Sequence, residues 1–210
     1  LCDQDKDGLH IKGLVMNMFS HYWPSLLHKT FLVTMYTPIV KVFKRNKVIR
    51  TFYVQNNYDK WLYNKDTTGL RIKYYKGLGT STKKEAQEYF SHYPNNMINY
   101  TWTNESKDSL DLAFSKEDVP GRKKWLSFFN PNNVINPENK NVSFTEFVNK
   151  ELIHFSDYDN KRSIPSFCDG LKPSQRKVLC TFFRKNIVKE RKVSDLSGYI
   201  TIFLNTLLGS

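Results

Sequence analysis

Asp3, Asp5 and Asp7 alternate with single residues at the start of the chain, and Gly8 closes the run. On an extended strand or a tight strand-end turn, alternate residues share a side, so the three carboxylates would face one space. Like charges this close repel unless a cation or strong hydrogen-bond donors stand between them. The pattern therefore points to a hard divalent cation held by oxygen, with a solvated acidic turn as the plainer alternative. A calcium loop with this spelling needs a bidentate glutamate at its twelfth position and two flanking helices. Counted from Asp3 that position is Leu14, His10 stands where such a loop carries an aliphatic residue, and only two residues precede Asp3. A magnesium site for phosphoryl transfer makes no such demand, because water and phosphate fill much of its shell.

A second glycine turn, Lys76-Gly77-Leu78-Gly79, follows a β-type stretch. Bare backbone there can approach a phosphate closely beside a lysine, although an ordinary turn has the same spelling. Arg122, Lys123 and Lys124, and later Lys172, Arg176 and Lys177, fall on helical patterns with aromatic or aliphatic backs. Such helices lie against nucleic-acid backbone, or are simply solvated. His28, His92 and His154 lack partners at metal-ligand spacing, and no nucleophile elbow, P-loop or Cys/His arrangement for covalent catalysis is present.

The 210 residues carry a formal charge of +12 at pH 7 and a pI near 9.5. That field favours polyanions, either nucleic acid or an acidic membrane surface. With 40% hydrophobic and 15% aromatic residues the chain can bury a core. No stretch approaches the ~20 apolar residues of a membrane helix and no signal peptide is visible, so a soluble intracellular protein is expected. Cys2, Cys168 and Cys180 are scattered, which fits small core residues in a reducing compartment rather than a disulfide framework or zinc site. Leu1 in place of a methionine suggests a piece of something longer.

The elements that must position these residues can be read from periodicity. Ile11, Leu14, Val15, Met18, Phe19, Tyr22 and Trp23 recur at helical spacing until Pro24, placing the aspartates at a strand-to-helix junction. Residues 31–44 and 48–54 read as strands joined by Arg45-Asn46-Lys47. Leu70, Ile72 and Tyr74 alternate with Arg71, Lys73 and Tyr75, a strand with one basic or polar face. Thr82 and Glu85 form a capping box for a helix ending near Pro94. Two strand-turn-helix units predict an α/β core of parallel strands, with function at the strand ends. Residues 130–141 hold six Asn and two Pro and read as a linker. This divides the chain into 1–129, the linker, and 142–210, where Pro173 opens a basic helix backed by Val178, Leu179, Phe182 and Phe183.

At this point the motifs can be compared as wholes. Asp3-Gln4-Asp5-Lys6-Asp7-Gly8-Leu9-His10-Ile11-Lys12-Gly13, Tyr74 to Thr82, Leu112 to Lys116, Arg122 to Leu126, and Arg162 to Leu179 strongly resemble eukaryotic DNA topoisomerase II, in order and over residues 1 to 199. The resemblance implies an α/β fold: the C-terminal part of a Rossmann-like TOPRIM domain, then the helical start of a winged-helix domain. It implies that Asp3 and Asp5 ligate Mg²⁺ with Asp7 supporting, and that Arg122, Lys123 and Lys172 contact duplex DNA, with Lys76, Arg176 and Lys177 as further contacts. The family enzyme is an ATP-hydrolysing isomerase, a nuclear homodimer with no membrane association, that passes one duplex through a double-strand break in another. The ATPase region, the metal-binding glutamate and the cleaving Arg-Tyr pair have no counterpart here. From Ile200 onward the sequence departs from the family pattern, and Tyr199 lies in the wrong motif to be the nucleophile. The resemblance therefore implies a piece inactive by itself, or a fragment that only binds duplex DNA without sequence preference.

Overall fold

The computed structural model describes every residue except Leu1, Gln4, Asn64, Lys76, Gly77, Pro137, Gly209 and Ser210, and the side chains of the described residues apart from Asn56, Leu78 and residues 203–208. It forms two compact units, Leu1–Asp157 and Tyr158–Ser210.

In the first unit, helix α1 (Lys6–Tyr22) starts at the Asp5 cap and stops at Trp23, where Pro24 opens the short helix α2 (Pro24–Leu27). Cys2 and Asp3 belong to neither helix nor strand, so the expected strand-to-helix junction is a capped helix start. The strands β1 (Val33–Met35), β2 (Val40–Lys44) and β3 (Lys47–Phe52) follow. Arg45 and Asn46 both take positive φ, 47° and 63°, the two-residue hairpin turn whose twist suits its flanking strands. Helix α3 (Gln55–Tyr63), strand β4 (Arg71–Tyr74) and helix α4 (Lys83–Ser91) come next. Thr82 and Glu85 close their capping box at the start of α4, as the sequence predicts.

Strand β5 (Met97–Thr101), helices α5 (Ser106–Phe114) and α6 (Val119–Ser127), and strand β6 (Asn141–Ser143) lead into a continuous helical run. This comprises α7 (Phe144–Phe147), a π-helical turn over Val148–Leu152, and α8 (Ile153–Ser163). The two sheets have strand orders β1-β5-β6 and β3-β2-β4. The mixed α/β class holds, but among the described residues parallel pairing occurs at one place, β5 with β6, and the other pairs are antiparallel. A tight hairpin joins β2 to β3, whereas helices α5 and α6 make the crossover between the parallel β5 and β6.

The first sheet, α5 and the helical run share a core of Ile98, Tyr100, Leu110, Val142, Phe144, Phe147, Val148 and Leu152, while the second sheet buries Val40, Val42, Phe52 and, from α3, Tyr58. Residues 130–141 do not separate two domains. They lead into β6, which pairs with β5 inside the first unit, and the division falls within α8.

The apolar stripe read on α1 also has a different position. The face turned inward carries Gly8, Lys12, Gly13 and Met16, whereas Ile11, Leu14, Val15, Met18 and Tyr22 are exposed. Small residues let the helix close on the core: a Cβ at Gly13 would lie 2.8 Å from Phe114 Cζ and 3.2 Å from Leu152 Cδ1. The cysteines also differ from expectation, since Cys168 is exposed and Cys2 and Cys180 are half-buried.

In the second unit, helices α9 (Pro173–Arg184) and α10 (Val193–Leu208) follow the end of α8. The expected apolar back of α9 is only partly covered: Thr181 is buried, whereas Leu179 and Phe183 are exposed.

Candidate functional site

The aspartates sit at the N-terminus of α1. Asp5 adopts extended backbone angles, and its Oδ1 accepts the Gly8 N–H at 2.7 Å. Asp7 lies exposed in the first turn. Both charges complement the positive end of the helix dipole. Gly8 is required by close approach, because a Cβ there would collide with the Asp3 carbonyl. Among the described residues no three His, Cys, Asp or Glu side chains gather into a metal-holding group. The shared face expected of the three aspartates is lost because the chain turns helical at Lys6, and residues two apart on a helix diverge by about 200°. Asp3 and Asp5, just ahead of the helix, still offer hard carboxylate oxygen. That donor chemistry fits Mg²⁺, which commonly takes one or two carboxylates and leaves the rest to water and phosphate.

What seats α1 is a buried polar cluster that the sequence reading missed. Lys12 Nζ lies 3.3 Å from Glu151 Oε2, and Tyr36 OH donates to Glu151 Oε1 at 2.7 Å. Burial first, then the Glu151 charge and hydrogen bond, push the Tyr36 phenol well above its ordinary range, so it remains a donor. The signal was available: Lys12 is spaced four residues from both Gly8 and Met16, and Glu151 shares helical spacing with Phe144, Phe147, Val148 and Phe155, all buried.

The basic face of β4 meets α4. Lys73 Nζ donates to Glu85 at 2.9 and 2.8 Å, Tyr75 OH donates to the same carboxylate, and the Thr82 N–H and hydroxyl add bonds of 2.7 and 2.9 Å. Burial raises the Glu85 carboxyl, but hydrogen bonds from Lys73, Tyr75 and Thr82 outweigh it and hold the group at about 2. Lys41, almost fully buried, donates to Glu88 at 3.0 Å. These lysines are therefore internal partners. Lys76 and Gly77 of the glycine turn lie outside the described residues.

Arg122 is half-buried, and its Nη1 donates to the carbonyls of Leu112 (3.3 Å) and Ser115. It thus satisfies carbonyls at the end of α5. Lys123 and Lys124 are exposed on α6, whose Trp125 is buried with Nε1 donating to Asn149 at 2.9 Å.

The second unit brings several sequence-selected cations together. A cleft of about 730 Å³ is lined by Tyr158, Lys161, Arg162, Lys172, Ser174 and Lys177, with Pro173, Val178 and Ile200 among its apolar parts. Pro173 and Ser174 are the first residues of α9, so the positive end of a twelve-residue helix adds to four cationic side chains. Arg162 also lies over the Tyr158 ring at 4.8 Å and bonds Asp159 at 2.9 Å. Arg176 grips Asp169 with bonds of 2.6 and 2.9 Å, which hold that carboxyl at about 2. The Asp169-Gly170-Leu171 turn is locally built: Asp169 accepts the Leu171 N–H, and Gly170 takes φ 68°. Lys161 was not selected from the sequence, since one lysine near a helix end carries no signal of its own.

Known proteins are similar to this chain in sequence and fold. Residues 35–160 match the family described as the C-terminal associated domain of TOPRIM, and residues 162–205 match a DNA gyrase/topoisomerase IV family. The two matches meet beside the boundary between the compact units. The chain is 48% identical over 202 residues to a DNA topoisomerase 2 of Plasmodium falciparum (isolate K1 / Thailand) and 46% over 207 residues to one of Arabidopsis thaliana. It is 44% identical over 214 residues to DNA topoisomerase 2-alpha of Rattus norvegicus. These alignments cover 95%, 96% and 95% of this chain but 14% of each relative. The crystal structure of the Plasmodium falciparum topoisomerase II DNA-binding, cleavage and re-ligation domain aligns with a TM-score of 0.82 at 48% identity, covering 95% of this chain and 28% of that one. A TOPRIM-associated α/β unit followed by a gyrase-like helical unit is thus the fold at hand. The chain belongs to the family of the C-terminal associated domain of TOPRIM, and over about 95% of its length it is similar to eukaryotic DNA topoisomerase 2.

Proposed function

We propose that this chain is part of the DNA breakage–reunion core of an ATP-dependent type II topoisomerase, an isomerase that acts on duplex DNA as a nuclear homodimer. The observation that carries the reading is the cleft walled by Lys161, Arg162, Lys172 and Lys177 at the start of α9. Cations and a helix N-terminus converging on one space suit the phosphates of a nucleic-acid backbone. Lys123 adds an exposed cation on α6. Arg122 and Arg176 act through the carbonyls and carboxylate they already hold, with DNA contact as a second use, and Lys76 would stand beside the backbone from its glycine turn.

Asp3 and Asp5 would hold Mg²⁺, with Asp7 supporting. When bound, the ion would neutralise charge building on a phosphodiester. The chain's own contribution is to present hard oxygen at a capped helix start and to grip backbone phosphates through lysine and arginine. Tyr199 lies within α10 and is assigned no role in cleavage.

The test is duplex binding by the chain, measured by fluorescence anisotropy with two unrelated sequences. Equal affinity for both, falling steeply as salt rises, is the expected outcome; no affinity at low salt, or indifference to salt, contradicts it. A second reading, sequence-independent binding without strand cleavage, is favoured because the cleft lies wholly within residues 158–200. Magnesium-dependent nicking of supercoiled plasmid by this chain, abolished by Asp3→Ala, decides against that second reading.

A further inference from the structure

We infer that Lys12, Glu151 and Tyr36 form a polar key that fixes the register of α1 on the core and so places Asp3 and Asp5, making all three positioning residues for magnesium; the inference rests on the magnesium reading above.

The three groups come from different parts of the first unit: Lys12 from the inner face of α1, Tyr36 from the residue after β1, and Glu151 from the π-helical turn. Lys12 and Glu151 are 7% and 8% exposed, so their charges are matched inside the protein. The Lys12 ammonium also lies 6.0 Å from the Tyr100 ring centre and 5.8 Å from that of Phe147, where ring faces attract a cation. Each group therefore has a directed partner that a shifted helix would lose.

Apolar contact alone specifies register weakly, because it has no direction. A helix can slip along its neighbour by a turn, about 5.4 Å, and meet a similar surface. A buried ion pair is poor at adding stability, since apolar residues of the same volume commonly do as well. Its better-attested use is to single out one alignment, as a buried polar residue does in a coiled coil. On α1 the consequence reaches the aspartates through a stiff path. Lys12 lies seven residues along the chain from Asp5, about 10 Å on a helix, Asp5 caps that helix, and Gly8 lies directly beneath the Asp3 carbonyl. The π-helical turn that carries Glu151 is an uncommon element, often retained where a side chain must be aimed.

The experiment uses the 210-residue chain with Lys12, Tyr36 and Glu151 replaced together by Met, Phe and Met, so that no polar group is stranded. Manganese(II), a probe for the magnesium site, is titrated by electron paramagnetic resonance beside thermal unfolding. An Asp3→Ala/Asp5→Asn chain serves as the metal-site control. The expected result is a triple variant that melts no lower than the unaltered chain yet binds manganese about tenfold more weakly. Tyr36→Phe alone, which leaves the ion pair intact, should show a smaller loss in the same direction. A triple variant that folds and binds manganese undiminished, while the aspartate control has lost binding, overturns the inference and leaves the magnesium reading standing. A triple variant that does not fold also overturns it, because the key would then serve stability rather than register. If the unaltered chain binds manganese no better than the aspartate control, the magnesium reading fails and takes the inference with it.

Discussion

Asp5 caps α1 and also offers carboxylate oxygen to a cation, and two substitutions separate these roles. Asp5→Asn keeps an acceptor for the Gly8 N–H and should leave stability nearly unchanged, while Asp5→Ala should cost about 1 kcal/mol; both should abolish manganese binding. Chemical denaturation beside metal titration checks the pair of outcomes. Arg122 and Lys123, neighbours in sequence, should also part. Arg122→Ala removes bonds to two carbonyls at the end of α5 and should destabilise the fold by about 1.5–3 kcal/mol. Lys123→Ala should leave the melting temperature alone and lower the salt slope of DNA binding by about 1. At this scale the residue types were legible and their partners were not. The aspartate run announced oxygen chemistry, but spacing alone could not say that Asp5 would cap a helix. A run of basic residues likewise could not reveal that Arg122 points back at Leu112 and Ser115.

Helix α4 is held to its sheet largely by charge, through Lys73–Glu85, Lys41–Glu88 and the Tyr75 hydroxyl. Among the described residues, neither apolar cluster contains a residue of α4. A carboxylate whose folded-state value is depressed contributes stability above its unfolded value and loses it as pH falls through the folded one. For Glu85, ordinarily near 4.5 and held at about 2, that contribution is complete above roughly pH 4.5 and disappears toward pH 2. Nuclear magnetic resonance of the Tyr75 ring and α4 amides should show the helix loosening across this window. Glu85→Gln should remove the acid-dependent step, and an unchanged titration in that variant would contradict the account. The local part of this element was readable, since the Thr82–Glu85 capping box predicts where α4 begins. Its docking was not, because Lys41 and Glu88 lie 47 residues apart and nothing local pairs them. The antiparallel pairing of most described strands was hidden for a related reason. Strand and helix signals fix element types, while pairing direction depends on which distant strands meet.

As a whole molecule the chain divides where two family matches meet, not at its Asn-rich stretch. Low hydrophobicity made residues 130–141 look like a linker, yet β6 behind them pairs with β5, and Phe144 and Phe147 beyond are fully buried. Phe147→Ala should accordingly lower the stability of the first unit by about 3–5 kcal/mol, measured by denaturant unfolding. The excess of positive charge was legible from composition; the gathering of four of those cations around one cleft was not, because Lys161 and Lys177 converge only once α8 and α9 are folded. The most direct test of the central claim is the salt dependence of duplex binding, compared between the unaltered chain and Lys161→Ala/Lys172→Ala/Lys177→Ala. If these lysines grip backbone phosphates, the logarithmic salt slope should shrink by about 0.9 for each contact removed, with both chains equally folded. An identical slope in the two chains would contradict the assignment of this cleft to DNA.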